Sequence, residues 1–364
     1  MFCLGRVFHR PVKRNPQQLP EVSVVLAAHN EEGRIQSRLG NLLSSDYPDD
    51  RLEIIVVSDG STDGTVALAE AFNEPRVRVL PQSNRSGKAH CLNLGVKAAR
   101  GEVIVFGDLR QRFASDTISR LVAHFADAEV GAVSGSLEIE ASSSAVGGGV
   151  DVYWRLEKMI RRSEAQFDSA IGCTGAVYAI RKECFRPIPG DTILDDVVIP
   201  MQIALQGRRI LFDPDALAYD PQTLEPAREK VRKQRTLAGN FQMMFRYPAW
   251  LLPWRNRLWW QLISHKYLRL AAPFVMLSLF VSNALLIQSS FFLVLFIGQV
   301  IFYTVALLGR FTSIRSRIFS IPAGFVFLNL MTLDGLYHHL RGSYRAGSWP
   351  LVTAKRLPET ERVK

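Results

Sequence analysis

The sequence predicts an α/β domain with three layers and a mostly parallel sheet, followed by a C-terminal α-helical membrane region. Apolar strand patterns alternate with helix patterns through the first half of the 364-residue chain, which is typical of a parallel sheet covered by helices. Long apolar runs begin only after about residue 268, and they raise the hydrophobic content of the chain to 48%. A chain of this length can form one or two domains with a full core.

The elements of the first half follow in order. Residues 22–28 predict a buried strand because they are apolar and β-branched, and the turn residues 47–50 end a helix that begins at Arg34. A second apolar run ends at Asp59, and Ser61 or Thr62 then caps a helix over 63–72. Further strands are predicted at 77–80, 103–108 and 132–139, with helices at 87–99 and 116–125.

The domain is predicted to cover residues 21–245, after a basic tail at 1–20. The small-residue segment 141–149 indicates a flexible joint between a first half, about 21–140, and a second half, about 150–245. The second half contains a helix over 152–167, a short strand ending at Arg181 and a basic helix over 226–240.

The C-terminal third is predicted to be a membrane region. Residues 246–268 combine tryptophans with basic residues, which favours an amphipathic helix lying in the headgroup layer. The runs 270–287 and 291–308 are near the ~20 residues that cross the hydrocarbon, whereas 318–340 either spans or dips in and returns. Each run is apolar around its whole circumference, which disfavours soluble core helices. A basic tail occupies 341–364.

The net charge of +10 indicates an anionic partner. Many basic residues flank the apolar runs, and they do not alternate with exposed aromatic residues in any nucleic-acid-binding motif. We therefore expect membrane lipids rather than nucleic acid as the partner, and an inner-membrane, multi-pass protein whose domain faces the cytosol. The basic residues concerned are Arg255, Arg257, Lys266, Arg269, Arg310, Arg315 and Arg317.

Two aspartates stand at the carboxyl ends of apolar strands. Asp59 ends the run Ile-Ile-Val-Val-Ser-Asp, and Asp108 ends Val-Ile-Val-Phe-Gly-Asp. Ligands of open α/β sheets bind outside these strand ends. No Gly-x-Gly-x-x-Gly follows the first strand, which excludes a dinucleotide oxidoreductase. The pattern therefore favours a nucleotide-sugar pocket.

A set of short motifs resembles the family 2 inverting glycosyltransferases, and within them the bacterial membrane synthases of exopolysaccharide, chitin oligosaccharide, hyaluronan and cellulose. The motifs occur in the family's order over nearly the whole chain, and the resemblance implies a GT-A type fold. They are 25–32 (Val-Leu-Ala-Ala-His-Asn-Glu-Glu), 58–63 (Ser-Asp-Gly-Ser-Thr-Asp), 87–89 with Leu92 and Asn93, 106–108, 172–175 (Gly-Cys-Thr-Gly), 195–196, 207–209 and 235–240.

The resemblance implies that the first half binds the nucleotide-sugar donor, with a UDP-sugar expected. Asp59 would accept hydrogen bonds from the nucleobase or ribose, unless it only caps the following turn. Asp63 is also explained by the start of its helix, and Lys88 would reach the diphosphate unless it is a solvated surface lysine. The donor-binding residues implied are Ala28, Asn30, Glu31, Asp59, Asp63, Lys88, Asp108 and Arg110.

The family's Asp-x-Asp metal motif is altered in this chain. Asp108 matches its first acid, but the second position holds Arg110, which cannot bind Mg²⁺ or Mn²⁺ and could instead neutralise the diphosphate. We still expect a divalent cation with Asp108 as its ligand, and metal independence stays open.

The second half carries the implied catalytic and acceptor-binding residues. Asp196 matches the family's catalytic base, Asp195 its supporting acid and Arg235 the arginine of the Gln-x-x-Arg-Trp motif; the alternative for the acid pair is that it caps the following helix. Thr236 replaces the motif's tryptophan, which argues against long-chain processivity. The acceptor-binding residues implied are Gly172, Thr174 and Gly175.

The function expected from the resemblance is transfer of a hexosyl or N-acetylhexosaminyl group to a lipid-linked or growing glycan acceptor, in envelope or exopolysaccharide synthesis. Other membrane proteins of polysaccharide synthesis are possible partners. The alternative is a catalytically degenerate scaffold that binds sugar nucleotides, which Arg110 and Thr236 favour. The five acidic and basic site residues that remain argue against it; they are Asp59, Asp108, Asp195, Asp196 and Arg235.

Overall fold

The computed structural model describes residues 10–139, 148–221, 226–311 and 316–344. Eight strands in this part of the chain form one sheet in the order β3-β2-β1-β4-β7-β6-β8-β5. The strands are β1 (Val22–Ala28), β2 (Leu52–Asp59), β3 (Val77–Gln82), β4 (Val103–Gly107), β5 (Arg112–Phe113), β6 (Val130–Ile139), β7 (Val177–Arg181) and β8 (Arg209–Asp220).

The sheet is parallel in its first half and mixed in its second. β2 pairs in parallel with β1 and β3, and β1 pairs in parallel with β4. β7 then runs antiparallel to both β4 and β6, β6 pairs in parallel with β8, and β5 is antiparallel to β8. The parallel pairings place the carboxyl ends of β1, β2 and β4 at one edge. The antiparallel β7 begins at that same edge, with Val177 opposite Gly107.

Helices cover both faces of the sheet, as the three-layer prediction requires. They are α1 (Ile35–Leu43), α2 (Thr65–Glu70), α3 (Lys88–Ala98), α4 (Thr117–Ala123), α5 (Gly148–Phe167), α6 (Asp195–Leu205) and α7 (Pro226–Arg246), with 3₁₀ turns at Asp49–Arg51, His124–Ala126, Lys182–Cys184 and Pro248–Leu251. Successive strand residues point to opposite faces. Val24 and Val25 of β1 accordingly belong to different core clusters, one on each side of the sheet.

Three long helices follow, each apolar and long enough to cross a membrane: α8 (Trp259–Leu285), α9 (Ser290–Gly309 within Ser290–Phe311) and α10 (Arg317–Leu340). The third run is one continuous helix of 24 residues, and it packs along α7. Asp334 of α10 has the polar partners that an acid among apolar helices needs, because Gln234 of α7 donates to it and His338 lies 3.6 Å away.

The structure differs from the predicted interfacial helix at 246–268. This segment begins with the 3₁₀ turn Pro248–Leu251, continues through turns and joins α8 at Trp259 without a break. Trp250 and Leu258 are buried against the α/β domain, whereas Trp254 and Trp260 are 76% and 58% exposed. The Trp-rich composition thus serves two purposes, core packing and an exposed aromatic surface, which the pattern alone could not separate.

The predicted joint and tails lie only partly within the described residues. Residues 140–147 of the joint, 1–9 of the first tail and 345–364 of the last tail are outside them. Residues 10–20 pack on the domain instead of extending from it. The amide of Arg10 donates to the carbonyl of Gln166, and the amide of Asn15 donates to that of Ala123.

Candidate functional site

The strand ends gather charged side chains around Lys88. Its Nζ lies 3.0 Å from Oδ1 of Asp108 and 3.5 Å from Oδ2 of Asp195. Burial opposes the charge of Lys88, but the two carboxylates outweigh it and raise the pKa of the ammonium above its usual value. Lys88 is therefore not a solvated surface residue. It joins the predicted donor half to the predicted acid pair.

Asp59 holds the turn that presents Lys88. It is fully buried, and its carboxylate accepts hydrogen bonds from the amides of Ser86 (2.6 Å) and Gly87 (2.9 and 3.0 Å to its two oxygens). Gly87 has φ +96°, a conformation that favours glycine. The sequence predicted contact with nucleobase or ribose, with turn capping as the alternative. The structure instead shows the carboxylate hydrogen-bonded to the loop that precedes Lys88.

The other residues predicted to bind the donor lie in two loops that hydrogen bonds join, one after β1 and one after β2. Asn30 adopts φ +54° and exchanges hydrogen bonds with Thr62, whose amide donates to Oδ1 of Asn30 at 2.9 Å. Asp63 accepts from the amides of Glu32 (3.2 Å) and Thr65 (3.1 Å), so it joins the two loops and binds the first residue of α2. Glu31 is tied to Arg34 at 2.7 Å, and Ala28 is buried at the end of β1.

Arg110 does not pair with Asp108. Its Nη2 lies 2.7 Å from Oδ2 of Asp220, the last residue of β8, and the side-chain amide of Gln111 donates to the same oxygen at 3.1 Å. Burial alone would raise the pKa of Asp108, but Lys88, Arg110 and Arg235 outweigh it and hold that pKa below its usual value. Asp108 therefore remains a carboxylate surrounded by cations.

A buried arginine, Arg38, lies next to Gly107 at the end of β4. Arg38 is 2% exposed and stacks on the ring of Phe113 at 4.1 Å, and a β-carbon built on Gly107 would meet its Nη2 at 2.7 Å. Its Nη1 donates to Asn41, but Nε and Nη2 have no hydrogen-bond partner in the part of the chain that the structure describes. Burial lowers the pKa of this guanidinium to about 9. The sequence analysis did not single out this residue.

Asp196 is fitted closely to the glycine-rich turn. Its backbone carbonyl accepts from the amide of Cys173 at 2.7 Å, and a β-carbon on Gly175 would meet its Oδ2 at 3.1 Å. Gly172 has φ +83°, which makes glycine necessary at this turn. Burial and the charge of Asp195 raise the pKa of Asp196 to about 6, against the opposing charges of nearby cations. A carboxylate with this pKa is suited to accept a proton near neutral pH.

Two helices hold the residues around the glycine-rich turn that the sequence predicts to bind the acceptor. The hydroxyl of Thr174 donates to the carbonyl of Gly135 (2.8 Å) and accepts from Nη1 of Arg161 on α5 (2.9 Å). On α7, Arg246 forms two bonds to Asp191 (2.6 and 2.9 Å), which fixes the loop leading to Asp195. Asp191 is thus an ion-pair partner of Arg246.

Arg235 lies on α7 and its charge acts on Asp108. It makes no hydrogen bond or ion pair with any residue that the structure describes. Its guanidinium is therefore available to an anionic ligand.

The sequence analysis missed a polar cluster between α5 and the start of α8. Glu157, Arg161 and Glu164 share one face of α5, and His265 places Nε2 3.2 Å from Glu157 and Nδ1 2.9 Å from Glu164. His265 and Lys266 belong to the π-helical stretch Leu262–Tyr267. The spacing of 157, 161 and 164 at i, i+4 and i+7 was the available signal.

The site fits a divalent cation only with Asp108 as a single protein ligand. The residues described contain no group of three or more His, Cys, Asp or Glu that could hold a metal. Mg²⁺ is often held by one or two carboxylates together with substrate phosphates, which the Asp108 carboxylate allows. Arg110 takes no part, because Asp220 holds it.

Comparisons with known proteins agree with this geometry. A family model described as Glycosyl transferase family 2 matches residues 23–188. Poly-beta-1,6-N-acetyl-D-glucosamine synthase of Staphylococcus aureus (strain MSSA476) is 30% identical over 220 residues, which are 58% of this chain and 52% of the relative. The Staphylococcus epidermidis synthase is 27% identical over 226 residues, 60% of this chain and 54% of its own. The chain thus spans about half the length of these relatives.

The fold has a solved counterpart. The mannosyltransferase PcManGT from Pyrobaculum calidifontis, solved in complex with GDP-Man and Mn²⁺, matches with a TM-score of 0.69 and 23% identity over 93% of both chains. At this identity the likeness establishes the fold, which is of the GT-A type, with C-terminal helices. Residues 23–188 of this protein are therefore similar to a glycosyl transferase family 2 domain.

Proposed function

We propose that the protein is a membrane-bound inverting glycosyltransferase that moves a sugar from a nucleotide-sugar, a UDP-sugar first, to a lipid-linked or growing glycan acceptor in envelope or exopolysaccharide synthesis. One observation carries this proposal. Lys88 contacts both Asp108 of the donor half and Asp195 of the acid pair, at 3.0 and 3.5 Å. An ammonium held between two carboxylates is ready to exchange one of them for the diphosphate of a donor.

The chemistry is a direct displacement. The acceptor hydroxyl oxygen forms a bond to the anomeric carbon, the bond from that carbon to the diphosphate breaks, and Asp196 takes the hydroxyl proton. Inversion follows because one bond forms opposite the one that breaks. Lys88 and Arg235 supply positive charge to the leaving diphosphate. A divalent cation held by Asp108 would supply further charge to the same oxygens.

The donor sugar is proposed from the relatives. Their name specifies N-acetylglucosamine, so we propose N-acetylhexosaminyl transfer as the first activity to test. For the membrane topology, we propose a multi-pass protein whose catalytic domain faces the cytosol, where nucleotide-sugars are made. The three long apolar helices and the basic residues at their flanks support this arrangement.

The test is nucleotide release by the purified full chain in lipid nanodiscs, with UDP-, GDP- and dTDP-sugars, each with Mn²⁺ and with chelator. Asp196→Asn should reduce release by at least about 10²-fold, the scale of a lost general base. Asp215→Asn is the matched control, because Asp215 is exposed and lies 3.9 Å from Arg120. Donor binding without release from any donor, even with lipid extract as acceptor, would favour the scaffold function, for which Arg110 and Thr236 argue.

A further inference from the structure

The first membrane helix contributes to the acceptor side of the site. The chain of contacts begins at Asp196, whose carbonyl accepts from Cys173, and continues through Thr174 to Arg161 at 2.9 Å. Arg161 then bonds Glu157 at 3.0 Å. Glu157 contacts His265, the residue before Lys266 in α8, so the acceptor turn and this helix form one polar cluster.

The charges of this cluster are matched except at one point. Both nitrogens of His265 face carboxylates, so the ring can donate twice only as the imidazolium. Together with Arg161, it balances Glu157 and Glu164. Lys266 makes no hydrogen bond or ion pair with a described residue, and its charge is favoured by Glu157, Asp196 and Glu164. Of these three acids, Asp196 is the one that Arg161 and His265 do not already balance.

The proposed reaction removes that last counter-charge. When Asp196 takes the acceptor proton, the cluster would keep three cations (Arg161, His265 and Lys266) against two anions (Glu157 and Glu164), and an uncompensated buried charge is costly. An acceptor that carries its own negative charge would avoid this cost. Arg161 has Nη2 available to the same anion, because it uses Nε for Glu157 and Nη1 for Thr174.

The position of the cluster specifies how such an acceptor arrives. Lys266 lies near the start of a helix that is long and apolar enough to span a membrane. The exposed Trp254 lies just before this helix and the exposed Trp260 lies in its first turn, and exposed tryptophans prefer the headgroup layer. An anionic group at this depth, attached to an apolar chain, is the phosphate of a lipid.

We propose that Lys266 and Arg161 form an acceptor subsite for the phosphate group of a phosphate-linked lipid, beside the base Asp196. The subsite rests on the proposed function and specifies its acceptor as a lipid phosphate or diphosphate. It also explains why a lysine is placed at the junction of the domain and the first span.

The experiment measures binding of defined probes to the full chain in nanodiscs made of zwitterionic lipid, by tryptophan fluorescence. The probes are farnesyl phosphate, farnesol, inorganic phosphate and phosphatidylglycerol. The variants are Lys266→Met, which keeps the length and removes the charge, and Lys266→Arg, which restores it. Arg255→Met is the matched control, since Arg255 is an exposed cation of the same membrane-proximal segment outside the cluster.

We expect farnesyl phosphate to bind tightest, to lose about tenfold or more in affinity with Lys266→Met, and to recover with Lys266→Arg, while Arg255→Met behaves as wild type. Farnesol binding should be insensitive to all three changes, and inorganic phosphate should bind more weakly with the same dependence on Lys266.

Equal affinity of wild type and Lys266→Met for farnesyl phosphate would overturn the proposal. So would phosphatidylglycerol binding as tightly as farnesyl phosphate with the same dependence on Lys266, since the site would then hold an ordinary membrane lipid. UDP binding, measured in parallel, should not change. The assay needs no turnover, so this result is separate from the failure of nucleotide release that would reject the transferase itself.

Discussion

Replacing Asp196 by asparagine should make the folded protein more stable while it abolishes activity. The charge of Asp196 is unfavourable in the folded state, because burial and Asp195 raise its pKa from 3.8 to about 6. A difference of about 2 pH units, at 1.36 kcal/mol each, corresponds to about 3 kcal/mol of lost folding free energy at pH 7.5. This is an upper value, since local rearrangement reduces it.

The pH dependence gives the sign of the effect. The folded state holds the proton more tightly than the unfolded state, so the penalty is complete above pH 6 and fades as the pH falls toward 3.8. Asp196→Asn should therefore stabilise by up to about 3 kcal/mol at pH 7.5 and by about half of that at pH 5. For a catalytic domain of this size, 3 kcal/mol corresponds to roughly 6 to 12 °C in melting temperature.

The assay is thermal unfolding in nanodiscs, followed by tryptophan fluorescence at pH 5 and pH 7.5. Asp191→Asn, in the loop that leads into α6, is a control of opposite sign. Hydrogen bonding to Arg246 holds the pKa of Asp191 below its usual value, so this variant should lose about 1 kcal/mol at pH 7.5 and less as the pH falls. A stabilisation by Asp196→Asn that is equal at both pH values, or a loss of stability at pH 7.5, would refute the burial argument.

Three further changes test other parts of the site. Gly175→Ala should lower kcat about tenfold with a small change in stability, because the new β-carbon would lie 3.1 Å from Oδ2 of Asp196 and displace it by a few tenths of an ångström; unchanged kcat would contradict this fit. Arg38→Met should raise the free energy of unfolding by about 1 to 3 kcal/mol, because it removes a buried cation with unpaired nitrogens. The same change should weaken UDP binding near Asp108, measured by calorimetry. A loss of stability would show that the charge of Arg38 is well compensated. Arg110→Asp should make the melting temperature depend on Mn²⁺, because the new carboxylate at position 110 would face that of Asp220. A melting curve that does not respond to Mn²⁺ would count against a metal at this position.

The fold was largely predictable because its elements are strongly patterned. The runs that end at Ala28, Asp59 and Gly107 are continuous, apolar and bounded by turn residues, and they form the parallel half of the sheet as predicted. β8 was not predicted. Its sequence contains Asp213-Pro214-Asp215, which interrupts the apolar pattern, and the pairing with β6 is irregular beside it. A strand that tolerates proline at an irregularity gives no clear periodic signal.

The site was predictable as a set of positions but not as a set of contacts. The resemblance named Lys88, Asp108 and Asp195, and the structure brings the three together. It could not show that the Asp59 carboxylate is bonded to the amides of Ser86 and Gly87, because those bonds join loops 27 and 28 residues apart. The cluster of α5 and α8 was missed for the same reason. His265 lies 101 residues from Glu164, and each looks ordinary within its own helix.

The helix α7 joins the candidate site to α10, one of the three helices long and apolar enough to cross a membrane. Arg246, at the end of α7, binds the loop before Asp195 through Asp191. Gln234 and Leu237, on the side of α7, contact Asp334 and Gly335 of α10. A membrane helix tilts when the bilayer becomes thinner or thicker. Since α7 is one continuous helix that contacts both α10 and the loop before Asp195, a tilt of α10 would be transmitted to that loop. Lipid composition would then change the turnover rate of this protein. The same sequence would have different turnover rates in membranes of different thickness.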